Sequence, residues 1–471
     1  MTDLKTPTGS APVTPQGSWG VLAVVTGALF LEGIDIAMLN VAVPSIASDI
    51  GLGTGSAHWV ISAYVLAYGG FMILGGRVAD LLGRRRVFLV ALGVFAAFSL
   101  LGGLAHESWA LILVRLVTGA AAGFMTPAGF SLLTTSFPEG PRRGRALAIY
   151  GAIGAAGFYL GVVAGGVITS FGWRWVFFVP AVIALVFLVV GSRTVPRGGG
   201  ATATGRARFD VGGAVTLTAA MMSFIFGVVT VGEHPGDPVG LSALGSSVLL
   251  FAAFLVIERR VPEPLVPSGV FTQGRLPWMS AVGMLFMGGF MAWQFLLTLF
   301  LQEHLGWGPL ETGLAFAAMI VELLIAPSLT PRIAARWGNL PTLAAGLVAM
   351  TIAFLLTLRL DASSGFLDLL PSLLLIGVAF ALVYGPLTAA AVEGVEPDRH
   401  GVAGGIVYTG FQFGAALGVS VATIVLAAGG GSTSDADYAR ALWVPFVAVV
   451  LCLVTAVASR VRRPAGQSVA G

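Results

Sequence analysis

Long apolar runs, broken only by short clusters of glycine, proline and arginine, recur from one end of this 471-residue chain to the other. No water reaches the hydrocarbon core of a bilayer, so a segment that crosses it must bond its own backbone groups. A crossing run of about 20 apolar residues is therefore a helix. Charged residues make up 10% of the chain and apolar ones 56%, against about 25% charged in a soluble domain. The pattern predicts an all-α integral membrane protein.

Bounded at the Gly, Pro and charge clusters, the runs place fourteen transmembrane helices, at 19–43, 57–76, 87–105, 109–132, 145–170, 175–194, 210–231, 240–258, 277–302, 310–330, 340–359, 367–391, 401–428 and 440–459. Lys and Arg collect in short cytoplasmic loops. With the N-terminus inside, all 25 basic residues fall in inside segments except Arg174, Arg359, Arg440 and the intramembrane Arg115. Dropping only one of the spans 210–231 and 240–258 would invert every later loop and destroy this bias, so both cross. The protein reads as multi-pass, with both termini cytoplasmic. Lys5 is its single lysine, and the arginine-, alanine- and glycine-rich usage fits a bacterial plasma membrane protein from a high-GC genome.

The chain also repeats itself. Gly157, Gly161 and Gly165 form a stripe that recurs as Gly410, Gly414 and Gly418, and the segment 76–83 is echoed at 331–338. The two offsets nearly agree, which predicts an N-terminal six-helix bundle at 18–195 and a C-terminal one at 275–463. Between them, 196–274 is a linker carrying two extra transmembrane helices; 1–17 is a Pro/Thr/Ser-rich disordered cytoplasmic tail and 464–471 a second tail. Parallel halves of this kind belong to transporters that rock about a midplane site.

Several other classes are set aside. Cys452 stands alone, so there is no disulfide framework and no thiol metal site. His58, His106, His234, His304 and His400 fall at loops or span ends without metal-ligand spacing and read as interfacial polar residues. No metal or other cofactor is called for. The basic residues are spread in short tracts as topology determinants, which argues against nucleic-acid binding. No Walker sequence is present, and no segment between spans is long enough for a catalytic domain.

The sequence resembles the major facilitator superfamily, and within it the fourteen-helix drug:proton antiporters. The resemblance rests on Gly76-Arg77-Val78-Ala79-Asp80-Leu81-Leu82-Gly83-Arg84-Arg85-Arg86 after the second span, Ile34 to Pro44 in the first, Trp173 to Phe177 before the sixth, and Arg115 with Gly119 in the fourth. It implies the major facilitator fold, two six-helix bundles plus two inserted helices, and a cytoplasmic gate motif made of Gly76, Asp80, Gly83, Arg84 and Arg85. Gly157, Gly161, Gly165 and Gly166 match the fifth-helix motif tied to export, although Val162 replaces its usual proline and Thr118 stands where glutamine is common.

Charges inside the spans point to mechanism, because each costs on the order of 2.5–3.5 kcal/mol at mid-bilayer. Glu32 and Asp35 share one face of the first helix, about 18 and 13 Å from its outer end, and Arg115 lies about 9 Å from the outer end of the fourth. Asp35 is the expected proton carrier, Glu32 its helper or a cation contact, and Arg115 the charge that tunes them; a static ion pair is the alternative. Glu322, near the midplane, is expected to face a substrate cavity with Gln294, Tyr384 and Gln412, or else to serve helix packing. The expected function is secondary active export of small lipophilic compounds, cationic ones among them, in exchange for protons, by a monomer in the lipid bilayer. Proton-linked uptake of a small solute on the same fold is the alternative.

Overall fold

In a computed structural model the described residues are 19–51, 59–196, 210–233, 236–261, 264, 269, 274–396, 399–427 and 435–461. Both tails and most of the loop between the sixth and seventh spans lie outside them. The order is α1 (Trp19–Ile50), α2 (Trp59–Leu82), α3 (Arg84–Gly103), α4 (Ser108–Ser136), α5 (Pro141–Phe171), α6 (Trp175–Thr194), α7 (Val211–Glu233), α8 (Pro238–Glu258), α9 (Leu276–Leu299), α10 (Pro309–Phe316), α11 (Glu322–Ser328), α12 (Thr330–Trp337), α13 (Asn339–Thr357), α14 (Phe366–Val392), α15 (His400–Ala427), α16 (Asp435–Ala441) and α17 (Trp443–Val461). No strand occurs among the described residues. Among the described residues thirteen spans are long and apolar enough to cross a bilayer, and the bent α5 makes fourteen.

Every expected span has its helix, but two features differ. Several helices outrun their apolar stretch: α1 reaches Ile50, α2 Leu82 and α4 Ser136. Hydropathy marks only the part facing hydrocarbon, whereas hydrogen bonding continues until a residue forces a stop. Gly83 and Gly338 supply such stops at φ +95° and +87°, a region that side chains disfavour. They occupy equivalent turns in the two halves, and that turn is why the echo at 331–338 keeps its glycine. The second difference is the tenth span, which is not one helix. A 3₁₀ turn at Ala317–Val321 separates α10 from α11, and Pro327 and Pro331 cut the remainder.

The glycine stripes explain how each half is held. α5 packs along α1 and α15 along α9. A Cβ on Gly157, Gly161 or Gly165 would meet the backbone of Phe30, Ile34 or Met38; one on Gly410, Gly414 or Gly418 would meet that of Ser280, Met284 or Gly288. Both contacts step four residues along each helix, the close approach that small residues permit in membranes. Gly166 faces open space, so it has no part in this contact.

The halves meet where α2 lies against α15 and where α5 lies against α14 and α11. α7 sits on α2 and α15 at once. Trp59 stacks on Phe226 at 5.5 Å, Phe224 packs on Phe413 at 4.7 Å, and the Ser420 hydroxyl donates to the Val228 carbonyl at 2.9 Å. α8 packs chiefly on α7 and leaves Val248, Leu249 and Phe251 exposed to lipid.

Candidate functional site

α1, α2 and α4 converge on a buried polar cluster inside the first half. Arg115 donates through one terminal nitrogen to Asp35 Oδ2 at 2.7 Å, with both side chains 1% exposed or less. Its Nε donates to the Val60 carbonyl at 3.0 Å, and its guanidinium lies 4.3 Å from the Tyr64 ring centroid. Arg115 thus ties α1 to α2. Because α1 runs on to Ile50, Asp35 lies further from the helix end than expected, yet it meets Arg115 directly. Asp35 Oδ1 has no hydrogen-bond partner among the described residues. Buried carboxylate oxygens ordinarily have one.

Glu32, one turn earlier on the same face, accepts from the Tyr68 hydroxyl at 2.7 Å and the Thr126 hydroxyl at 2.8 Å. Neither hydroxyl lies within two helical turns of a charged residue on its own helix, so the sequence draws no attention to them. Thr118, at the position where glutamine is common, turns its hydroxyl back to the Val114 carbonyl at 3.0 Å and takes no part.

At the other end of α2, Asp80 crosses to the second half. Its carboxylate accepts the amides of Gly401 at 3.2 Å and Val402 at 3.0 Å, in the first turn of α15, and Arg84 lies 3.4 Å away. The first amides of a helix have no intrahelical partner and carry its positive dipole end, so a carboxylate suits them. Gly76 completes the contact: a Cβ there would run into the Gly401 carbonyl. Gly83 makes the turn that follows. Arg85 instead donates to the Ser192 carbonyl at 2.6 Å, bracing α3 on α6 within its own half.

His400 corrects the reading of the histidines as interfacial. It is buried at this junction, with Nδ1 3.1 Å from Thr134 Oγ1 and Nε2 3.1 Å from the Val395 carbonyl. Proximity to a span end suggested exposure, but the junction covers that end.

Between the halves lies a cavity of about 160 Å³, lined by α1, α5, α9 and α14. Tyr384 lines it, and its hydroxyl donates to Tyr408 at 3.0 Å. The other walls are Leu29, Phe158, Met287, Phe290, Met291 and Phe380, with Gly151 and Gly154 making room. Apolar residues in apolar helices carry no signal of which face they occupy; the pair of small residues on α5 was the one available hint. Gln412 packs beside Gly69 at the α2–α15 contact, and Gln294 is buried on α9 with Oε1 unpartnered among the described residues. Glu322 is 3% exposed at the start of α11, with Oε1 likewise unpartnered. Glu32, Asp35 and Arg115 do not line this cavity.

The family model of the Major Facilitator Superfamily matches residues 25–419 and 279–470. The chain is 37% identical over 423 residues to the puromycin resistance protein of Streptomyces alboniger, covering 87% of this chain and 82% of that one. It is 34% identical over 456 residues to the cephamycin export protein of Amycolatopsis lactamdurans, covering 95% and 92%. Among solved structures, the human organic anion transporter MFSD10 superposes with a TM-score of 0.64 over 92% of this chain and 99% of that one, at 19% identity, a likeness of fold alone. The chain belongs to the Major Facilitator Superfamily, and is a multi-pass membrane transporter rather than an enzyme.

Proposed function

We propose that this transporter exports small lipophilic compounds, antibiotics or related metabolites among them, across a bacterial plasma membrane in exchange for protons. The observation that carries the reading is the buried Asp35–Arg115 pair, held between α1 and α2 with one carboxylate oxygen left over. Removing one charge from a buried pair leaves the other uncompensated, at about 3–5 kcal/mol. Protonating Asp35 therefore loosens α1 from Arg115 of α4, the side chain that also holds the Val60 carbonyl at the start of α2. The same α2, about 36 Å long at 24 residues, carries Asp80 at its far end. A proton taken up at one end is thereby linked to the clamp on α15 at the other.

The names of the relatives support export, and the Met- and Phe-lined cavity suits varied lipophilic ligands, since Met side chains adapt their shape. Glu322, in a neighbouring helix, supplies negative charge for cationic ones. On this reading the end carrying the arginines of the α2–α3 turn, and both termini, face the cytoplasm, in keeping with the positive-inside rule, and the transporter works as a monomer. Val162 at the usual proline position keeps open the second reading, proton-linked uptake of a small solute, which the first-helix motif and the fourteen-helix count argue against. Everted vesicles decide between them: with the lumen made acid, a lipophilic cationic dye accumulates and protons leave the lumen in exchange. Dye movement that leaves the proton gradient untouched, or that runs outward with it, overturns the proposal.

A further inference from the structure

Of the three arginines that follow Gly83, two are engaged. Arg84 pairs with Asp80 and Arg85 holds the Ser192 carbonyl. Arg86 is exposed and has no hydrogen-bond or ion-pair partner among the described residues. It stands at the mouth of a groove of about 610 Å³ between α2, α3 and α4. Small side chains keep the groove open: Val78 from α2, Val90 and Val94 from α3, Val117 and Ala120 from α4, with Phe124 beside them. Apart from Arg86 every lining residue is apolar. The groove shares no lining residue with the cavity between the halves, and Leu82 and Val90 on its walls are exposed.

We infer that this groove binds one anionic phospholipid from the leaflet at the α2–α3 end, with an acyl chain along the valines and its phosphate on the Arg86 guanidinium. Three observations converge on this occupant. The volume falls within the range of ordinary ligand sites. The walls are as apolar as a lipid tail, so they offer a neutral, water-soluble ligand nothing to bond. The single cation is an arginine, whose planar fork matches a phosphate with two parallel bonds, and it sits where headgroups lie. A zwitterionic lipid would bring its own cation to a site with no carboxylate to receive it, so the site discriminates in favour of net negative headgroups. The placement has a mechanical consequence. Val78 and Leu82, which line the groove, flank Asp80 on α2. A lipid seated there buttresses the end of α2 that holds α15.

The test uses the full-length protein in detergent and native mass spectrometry, titrating phosphatidylglycerol against phosphatidylcholine of the same acyl chains. The wild type retains one phosphatidylglycerol about fivefold more tightly, the value of roughly 1 kcal/mol per arginine near a membrane surface. Arg86→Gln brings the two lipids to parity, whereas Arg193→Gln, an exposed arginine at the end of α6, keeps the preference. Ala120→Phe fills the groove and lowers retention of both lipids, a result that does not depend on the headgroup. Equal retention by the wild type, or a preference that survives Arg86→Gln, overturns the inference. So does displacement of the lipid by a lipophilic cationic dye, which would make the groove a drug vestibule.

Discussion

Asp80 and Gly401 stand 321 residues apart in sequence and 3.2 Å apart in space, a carboxylate on the last turn of α2 accepting an amide from the first turn of α15. This contact and its neighbour at Val402 close one end of the protein, so weakening them should favour the state in which that end is open. Hydrogen bonds to a charged group are worth about 1.5–3 kcal/mol. Asp80→Asn is expected to shift the balance toward the opposite state by about that amount and to slow transport. Cysteine labelling at Thr134, which faces His400 at the same junction, in a Cys452→Ser background, reads the change as faster modification. Unchanged labelling would show that the clamp does not limit opening.

Asp35→Asn leaves Arg115 buried without its counter-charge. Stability should fall by about 3–5 kcal/mol, and proton-driven transport should cease. Combining it with Arg115→Leu removes both charges and should restore much of the lost stability but none of the transport. Thermal unfolding in detergent and vesicle transport, measured on the same preparations, separate the two effects. Recovery of transport in the double variant would reduce the pair to a structural role.

Glu322 offers a test of charge selectivity. Glu322→Gln should reduce transport of lipophilic cations about tenfold or more, as a lost charge interaction of about 1.4 kcal/mol implies, and leave neutral compounds near the wild-type rate. An equal loss for both classes would assign Glu322 to packing.

The glycine stripes predict a sharp contrast within one family of substitutions. Gly414→Ala sets a methyl group against the Met284 backbone, and overpacking of this kind costs about 1–3 kcal/mol. Gly166→Ala meets open space and should gain a few tenths of a kcal/mol from helix propensity. Melting temperatures of the two variants should move in opposite directions.

At the far end from the clamp, Asp49 accepts from the Trp173 indole at 2.9 Å and Arg174 at 2.8 Å. These contacts, the indole bond foremost, hold its carboxyl below the ordinary value of 3.8. A carboxylate depressed in the folded state stabilises it fully above the unfolded value, and that contribution is lost as pH falls through the folded one. The effect is small because the group is exposed. Wild type should lose more melting temperature than Asp49→Asn on acidification from about pH 5 to pH 3. Parallel losses would remove the linkage.

How much of this was legible in the sequence follows from what a membrane helix must display. The fourteen runs are plain because hydrocarbon demands apolar residues on every exposed face, and Asp35, Glu32 and Arg115 stand out because hydrocarbon penalises them. The same uniformity hides everything decided by which way a helix is turned. Leu29, Met287 and Phe290 in the cavity look no different from lipid-facing residues such as Val248 and Leu249. Hydrogen-bonding partners were likewise hidden wherever they are backbone groups: nothing in Gly401 or Val402 announces an amide waiting for Asp80. Tyr68 and Thr126 on Glu32, and the burial of His400, depend on packing between segments far apart in the chain.

α7 touches both halves, through Trp59–Phe226 on α2 and the Ser420–Val228 bond on α15. The inserted pair is therefore no mere spacer between two moving bodies. Any tilt that parts α2 from α15 along this seam shears α7 against one of them, and α7 travels with whichever neighbour it grips harder. The α15 side, with the Phe224–Phe413 pair beside the Ser420–Val228 bond, exceeds the single Trp59–Phe226 stack on α2 by about 0.5–1.5 kcal/mol. A few substitutions along α7 are thus enough to reassign this third body from one partner to the other, a freedom that a twelve-helix arrangement without the insert does not possess.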